Sequence, residues 1–156
     1  MTYYEMQPLH PIMESIKKIN SQSVLLASMN EVIKSDESHP LLGTYALATC
    51  FCLIIYDEKD TYLIHTINDY EVKVNSIIES LGKNKKCILI PGLYTEMTKI
   101  AEVSLFLKRI EPHMEIQVLN LSEFINDDYE SIEFLYDTQN KEFIKPNFNE
   151  LLGKGR

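Results

Sequence analysis

Cysteine is scarce in this chain: Cys50, Cys52 and Cys87 are the only three in 156 residues. Three thiols cannot close a disulfide framework, which favours free cysteines in a reducing compartment. Basic residues are also few, with 15 Lys and Arg against 23 Asp and Glu and a formal net charge of −8. The one basic cluster, Lys83-Asn84-Lys85-Lys86, reads as a solvated loop, so nucleic acid is not expected as a ligand. There is no phosphate loop, no dinucleotide fingerprint and no serine nucleophile elbow. The most apolar run, Tyr45 to Tyr56, spans 12 residues interrupted by Thr49, too short to cross a bilayer, and no membrane association is expected. The first residues, Met1-Thr2-Tyr3-Tyr4-Glu5-Met6, lack the basic region and apolar run of a signal peptide. The expected location is therefore cytoplasmic, or a host cytosol reached without a classical signal peptide.

What the chain does have is the size and the 45% hydrophobic content of one globular domain. Apolar positions 12, 13, 16 and 19 suit a short helix. Ser23 to Ile33 fits one or two strands. Leu53 to Tyr56 reads as a buried strand, Asp57-Glu58-Lys59-Asp60 as a turn, and Thr61 to Ile67 as a second strand. Val72, Val74, Ile77, Ile78 and Leu81 recur at helical spacing between Asp69, in the N-cap position, and Gly82. Cys87 to Ile90 is predicted as a short strand before Pro91-Gly92. Thr95 is placed as the cap of a helix running to Pro112, Glu115 to Leu121 as a strand, and Ser131 to Lys145 as a closing hairpin. The tail, Gly153 to Arg156, is expected to fray. This order predicts an α+β fold: a layered β-sheet or β-sandwich core with flanking helices in a single domain over 1–156.

The chemistry gathers on one segment. Cys50 enters the first strand of the 53–67 hairpin and His65 leaves the second, so both fall at its open end, off the centre of the core. A thiol beside an imidazole, within a hydrogen bond or one rotamer change, is the minimum equipment for attack on a carbonyl carbon. Thr44 lies upstream and can return a hydroxyl to the same place. Cys52 points to the same face as Cys50 but is followed by solid apolar sequence, so it and Cys87 read as core. His10, His39 and His113 read as surface residues. Zinc fits poorly: Cys-x-Cys with one distant cysteine lacks the second ligand pair of a structural site, and no metal is expected.

Leu42-Gly43-Thr44, five residues, Cys50, an apolar strand, a turn and then His65 resembles the Thr/Cys/His arrangement of the deamidase superfamily. That group includes the chemoreceptor glutamine deamidases and the cytotoxic necrotizing factor toxins. The likeness is greatest to the protein N-terminal asparagine amidohydrolases. Ala48-Thr49-Cys50 is similar to their nucleophile segment, His65 with Asp69 to their histidine segment, Ile90-Pro91-Gly92-Leu93 to their glycine-bearing loop, and Glu133 to Asp137 to their closing hairpin. The likeness extends over roughly 41–148. It departs at Pro91, where the family has glycine, and at Ala48-Thr49, where the toxins carry Ser-Gly.

The resemblance implies hydrolysis of a side-chain carboxamide through a thioester. Cys50 would be the nucleophile, His65 the acid and base, and Thr44 the group that orients His65 through its hydroxyl or its backbone carbonyl. Asp69 and Gly92 would lie at the substrate, Asp69 either receiving a cationic α-amino group or simply capping a helix. No cofactor is implied. The partner would be a protein or peptide substrate, with N-terminal Asn ranked ahead of a protein-borne Gln. A binding protein that keeps the fold without turnover, or a thiol redox protein using Cys50 and Cys52, are the other classes consistent with these residues.

Overall fold

The apolar run from Tyr45 to Tyr56 falls in two strands belonging to two different sheets. In the computed structural model, which describes the backbone of 12–14 and residues 21–152, strand geometry ends at Leu47 and resumes at Phe51. The break follows Ala46, whose φ of 60° lies in the left-handed region that side chains disfavour. In chain order the strands are β1 (Ile12–Glu14), β2 (Val24–Ala27), β3 (Val32–Lys34), β4 (Leu41–Leu47), β5 (Phe51–Tyr56), β6 (Thr61–Thr66), β7 (Lys86–Pro91), β8 (Glu115–Val118), β9 (Ile125–Asn126), β10 (Ser131–Asp137) and β11 (Glu142–Lys145). The helices are α1 (Tyr70–Ser80), α2 (Met97–Ile110) and the short α3 (Phe148–Leu152).

One sheet runs β1-β11-β10-β4-β2, with β9 added to β10; the other runs β3-β6-β5-β7-β8. They pack face to face on Leu42, Ile54, Leu63, Ile88, Phe134 and Phe143, among others. The second sheet's outer face, with Leu53, Ile55 and Leu89, is covered by α1 and α2 through Val74, Ile77, Val103 and Leu107. Phe148 of α3 covers Leu135 and Ile144 on the other outer face. The fold is thus α+β, a layered two-sheet core flanked by helices. Because β5 and β7 are buried on both faces, they read as continuous apolar runs without alternation. Aromatic edges lock the centre: Phe134 and Phe143 meet at 5.4 Å and 72°, a geometry worth about 0.5–1.5 kcal/mol beyond area burial.

Three local expectations change. Ile12–Glu14, predicted as the start of a helix, is extended and pairs in parallel with Phe143–Lys145, so an available sheet edge overrides the helical spacing. The remainder of that segment and the tail at 153–156 lie outside the described residues. Asp69 occupies the N-cap position of α1 with φ 57°, but its side chain makes no capping hydrogen bond. At α2 the N-cap position falls to Glu96 instead of Thr95, whose hydroxyl is engaged elsewhere. Among the described residues no helix is long and apolar enough to cross a membrane.

Candidate functional site

The β5–β6 hairpin fixes the register of the site. Asp57 closes its turn, its carboxylate accepting the N–H groups of Lys59 at 2.8 Å and Asp60 at 2.7 Å. Counting back from that turn sets Cys52 opposite His65 and Phe51 opposite Thr66. The His65 N–H donates to the Glu31 carbonyl at 3.1 Å, and its own carbonyl accepts from Asn30 N–H at 2.8 Å. Both backbone groups of His65 therefore face away from β5, which makes Cys52–His65 a pair whose side chains approach closely. Cys50 follows on the diagonal, just past the end of the ladder.

Thr44 reaches His65 from the other sheet. Its hydroxyl lies 2.7 Å from His65 Nδ1 and 2.6 Å from the Ala27 carbonyl. A hydroxyl has one proton, and a carbonyl can only accept, so that proton goes to Ala27. The hydroxyl oxygen must then accept from Nδ1–H. This places the neutral ring's lone pair on Nε2, which is buried without a hydrogen-bond partner. Both residues are enclosed, Thr44 at 0% and His65 at 1% exposure. Burial pulls the His65 pKa below its ordinary value of 6.5, partly offset by the Ala27 carbonyl and the Glu31 charge. His65 is thus a neutral base at pH 7, held in one tautomer.

Cys50 is buried too, at 2% exposure, where the sequence placed it off the core. No hydrogen bond joins its thiol to His65. Its Sγ lies 3.9 Å from Met29 Sδ and 3.9 Å from the Ala46 carbonyl. Met29 is itself 48% exposed, so a flexible, partly solvated side chain lies against this thiol. Cys52 is nearer His65 in register, but it is fixed inside the sandwich, and burial followed by the neighbouring Cys87 pushes its thiol far up. Burial also holds the Cys87 thiol protonated.

The segment carrying Cys50 is held from behind. The carbonyls of Leu47, Ala48 and Cys50 accept the N–H groups of Leu93 at 3.1 Å, Tyr94 at 2.7 Å and Gly92 at 3.0 Å. The Thr95 hydroxyl donates to the Cys50 carbonyl as well. Gly92, expected at the substrate, is buried against the reverse of this loop: an added Cβ would sit 2.5 Å from the Ala48 oxygen and 2.6 Å from that of Cys50. Asp69 is exposed at the start of α1.

Met29, Glu31 and Thr95 were not singled out as site residues by the sequence. Glu31 had a signal: Ser28-x-x-Glu31 has capping-box spacing. Here the box closes a turn with no helix after it, the carboxylate accepting Ser28 N–H at 2.6 Å and Ser28 Oγ–H at 2.5 Å. Those bonds hold the Glu31 pKa below its ordinary value. Among the described residues no group of three or more His, Cys, Asp or Glu is arranged to hold a metal ion. No protein-family model matches the sequence, and neither does any curated protein.

Proposed function

We propose that the chain is a cysteine-dependent amidohydrolase that converts a side-chain carboxamide of a protein or peptide to the carboxylate. The observation that carries this is the chain Ala27 carbonyl, Thr44 hydroxyl, His65 Nδ1, which leaves a buried, unpartnered lone pair on Nε2 of a residue paired across the hairpin with Cys52 and diagonal to Cys50. A base oriented by a third group is the general signature of an activated nucleophile.

Cys50 serves as nucleophile once the Met29 side chain swings aside. Its proton passes to Nε2 as sulfur bonds to the amide carbon and the carbonyl electron pair moves onto oxygen. The imidazolium then returns that proton to nitrogen, the C–N bond breaks, and ammonia leaves a thioester. Water attacks the thioester with Nε2 as base, releasing the carboxylate and restoring the thiol. General acid–base help of this kind contributes roughly 10²–10⁴-fold. Throughout, Thr44 keeps Nδ1 occupied, and its contact stabilises the imidazolium as it forms.

N-terminal Asn ranks first as substrate, on the likeness to the N-terminal asparagine amidohydrolases, with a protein-borne Gln as the alternative. The test is ammonia release, together with the amide-to-acid mass gain, on peptides beginning with Asn, on their N-acetylated forms and on a Gln-bearing protein. Equal rates on free and acetylated peptides would exclude the N-terminal preference. A second function, binding without turnover, is favoured by one observation, the near-complete cover over Cys50. Absence of ammonia from all three substrates, with a Cys50 that resists iodoacetamide, would establish it.

A further inference from the structure

Three carbonyl groups of the nucleophile segment point one way. Leu47, Ala48 and Cys50 all direct C=O at the 92–95 turn. In a trans peptide the N–H is opposed to the carbonyl, so the N–H groups of Ala48 and Thr49 are aimed away from that turn. Among the described residues, no acceptor takes the N–H of Ala48, Thr49 or Cys50. For Cys50 this is unusual, because the residue is only 2% exposed, and buried N–H groups without partners are rare and destabilising. Consecutive unpaired N–H groups form an anion-binding concavity. Here the three N–H groups belong to the thiol-bearing residue and the two before it, beside the sulfur whose attack would create an oxyanion.

Thr95 is the side chain that holds this arrangement. It stands where a helix cap is expected, yet it leaves that position to Glu96. Its hydroxyl accepts Gly92 N–H at 2.8 Å and spends its one proton on the Cys50 carbonyl. The Cys50–Phe51 peptide is thereby pinned, and the backbone orientation of Cys50 with it. Gly92 allows the turn to come this close, since any Cβ would strike the backbone of Leu47, Ala48 and Cys50.

We propose that Thr95 is a positioning residue, acting through the Cys50 carbonyl, for an oxyanion hole made of the Ala48, Thr49 and Cys50 N–H groups; this rests on the amidohydrolase function above. When sulfur bonds to the amide carbon, the electron pair displaced onto oxygen is received by these donors. When the oxyanion collapses, the pair returns to re-form the carbonyl as the C–N bond breaks. Donors already in place at the developing charge stabilise the transition state more than the ground state.

The test compares Thr95→Val, Thr95→Ala and Thr95→Ser with the wild type in two reactions. One is ammonia release from a peptide beginning with Asn, or from a Gln-bearing protein where the wild type prefers it. The other is alkylation of Cys50 by iodoacetamide, a substitution at saturated carbon that develops no oxyanion. Thr95→Val and Thr95→Ala are expected to lower kcat roughly hundredfold with KM within about twofold, as for an ångström-scale misplacement. Thr95→Ser should recover most of kcat, and Cys50 alkylation should be unchanged in all three. Unchanged kcat in the Val and Ala variants would overturn the proposal. So would alkylation that falls in parallel with turnover, which is what a merely structural role produces, or a Ser variant as poor as Val. A wild type that alkylates at Cys50 but releases no ammonia from either substrate would overturn the amidohydrolase function itself, and is seen before any variant is compared.

Discussion

Thr44→Val is the most informative single perturbation, because valine keeps the shape and removes only the hydroxyl. That hydroxyl serves two buried groups, the Ala27 carbonyl at 2.6 Å and His65 Nδ1 at 2.7 Å. The variant leaves Nδ1–H without an acceptor, a loss of about 1–3 kcal/mol, and removes a donor from Ala27, a further loss of about 1 kcal/mol. The sum is about 2–4 kcal/mol, and for a chain of this size it lowers Tm by about 4–16 °C. Thr44→Ser keeps both bonds and loses one methyl group, about 1 kcal/mol. The tautomer responds as well. With Thr44 present, ¹⁵N spectra of the imidazole should show the proton on Nδ1. With valine, that preference should weaken and turnover should fall, since part of the population then presents a protonated Nε2 to the thiol. A wild-type ring protonated at Nε2, or a Thr44→Val variant with unchanged Tm and unchanged tautomer, would refute the reasoning whatever the reaction turns out to be.

Cys50→Ala should abolish turnover, whereas Cys52→Ala should keep it and lower Tm through a small cavity; the reverse pattern would make Cys52 the nucleophile. Burial holds the His65 pKa below 6.5. The unfolded chain therefore takes the proton first as pH falls, and chemical denaturation should show stability dropping below about pH 6.5 and continuing down to the lower folded-state pKa. For the same reason kcat/KM should have an acidic limb with its midpoint below 6.5. Met29→Ala should accelerate iodoacetamide labelling of Cys50 several-fold without opening Cys52 or Cys87, read by mass spectrometry. Asp69→Asn, at the exposed start of α1, should leave any rate difference between free and N-acetylated Asn peptides intact, and a narrowed difference would place the α-amino contact at Asp69.

How far the sequence was legible depended on punctuation. The β5–β6 turn was visible because Asp57 to Asp60 separates two β-rich runs, and α1 because Gly82 follows its last apolar position. The boundary between β4 and β5 carries no Gly or Pro, so the two strands read as one apolar run, and nothing local reports that the chain changes sheets there. That hid the position of Thr44. It was legible as a hydroxyl near the site, but its use of side chain instead of carbonyl depends on the second sheet facing the first. Thr95 fits every local rule for a helix cap, and tertiary contact with the Cys50 loop took it for another purpose. Cys50 and His65 were expected off the core because polar residues at a hairpin's open end are usually wet; both are buried instead, with Met29 against the thiol and the 28–31 turn bonded to the His65 backbone.

The Thr44 bridge also bears on which folded states the chain can occupy. Thr44 faces the space between the sheets, while Gly43 beside it faces outward, where an added Cβ would lie 2.7 Å from the Phe134 carbonyl oxygen. A slip of β4 by one residue would exchange these faces. It would press a side chain into the gap that only glycine fills, and strip both His65 Nδ1 and the Ala27 carbonyl of their shared partner. Pairing errors at this strand are therefore penalised twice, once by steric conflict and once by polar groups left bare. A refolded sample should not hold a compact, misaligned fraction with an idle imidazole: the hydroxyl that aims His65 also proofreads the strand that delivers it.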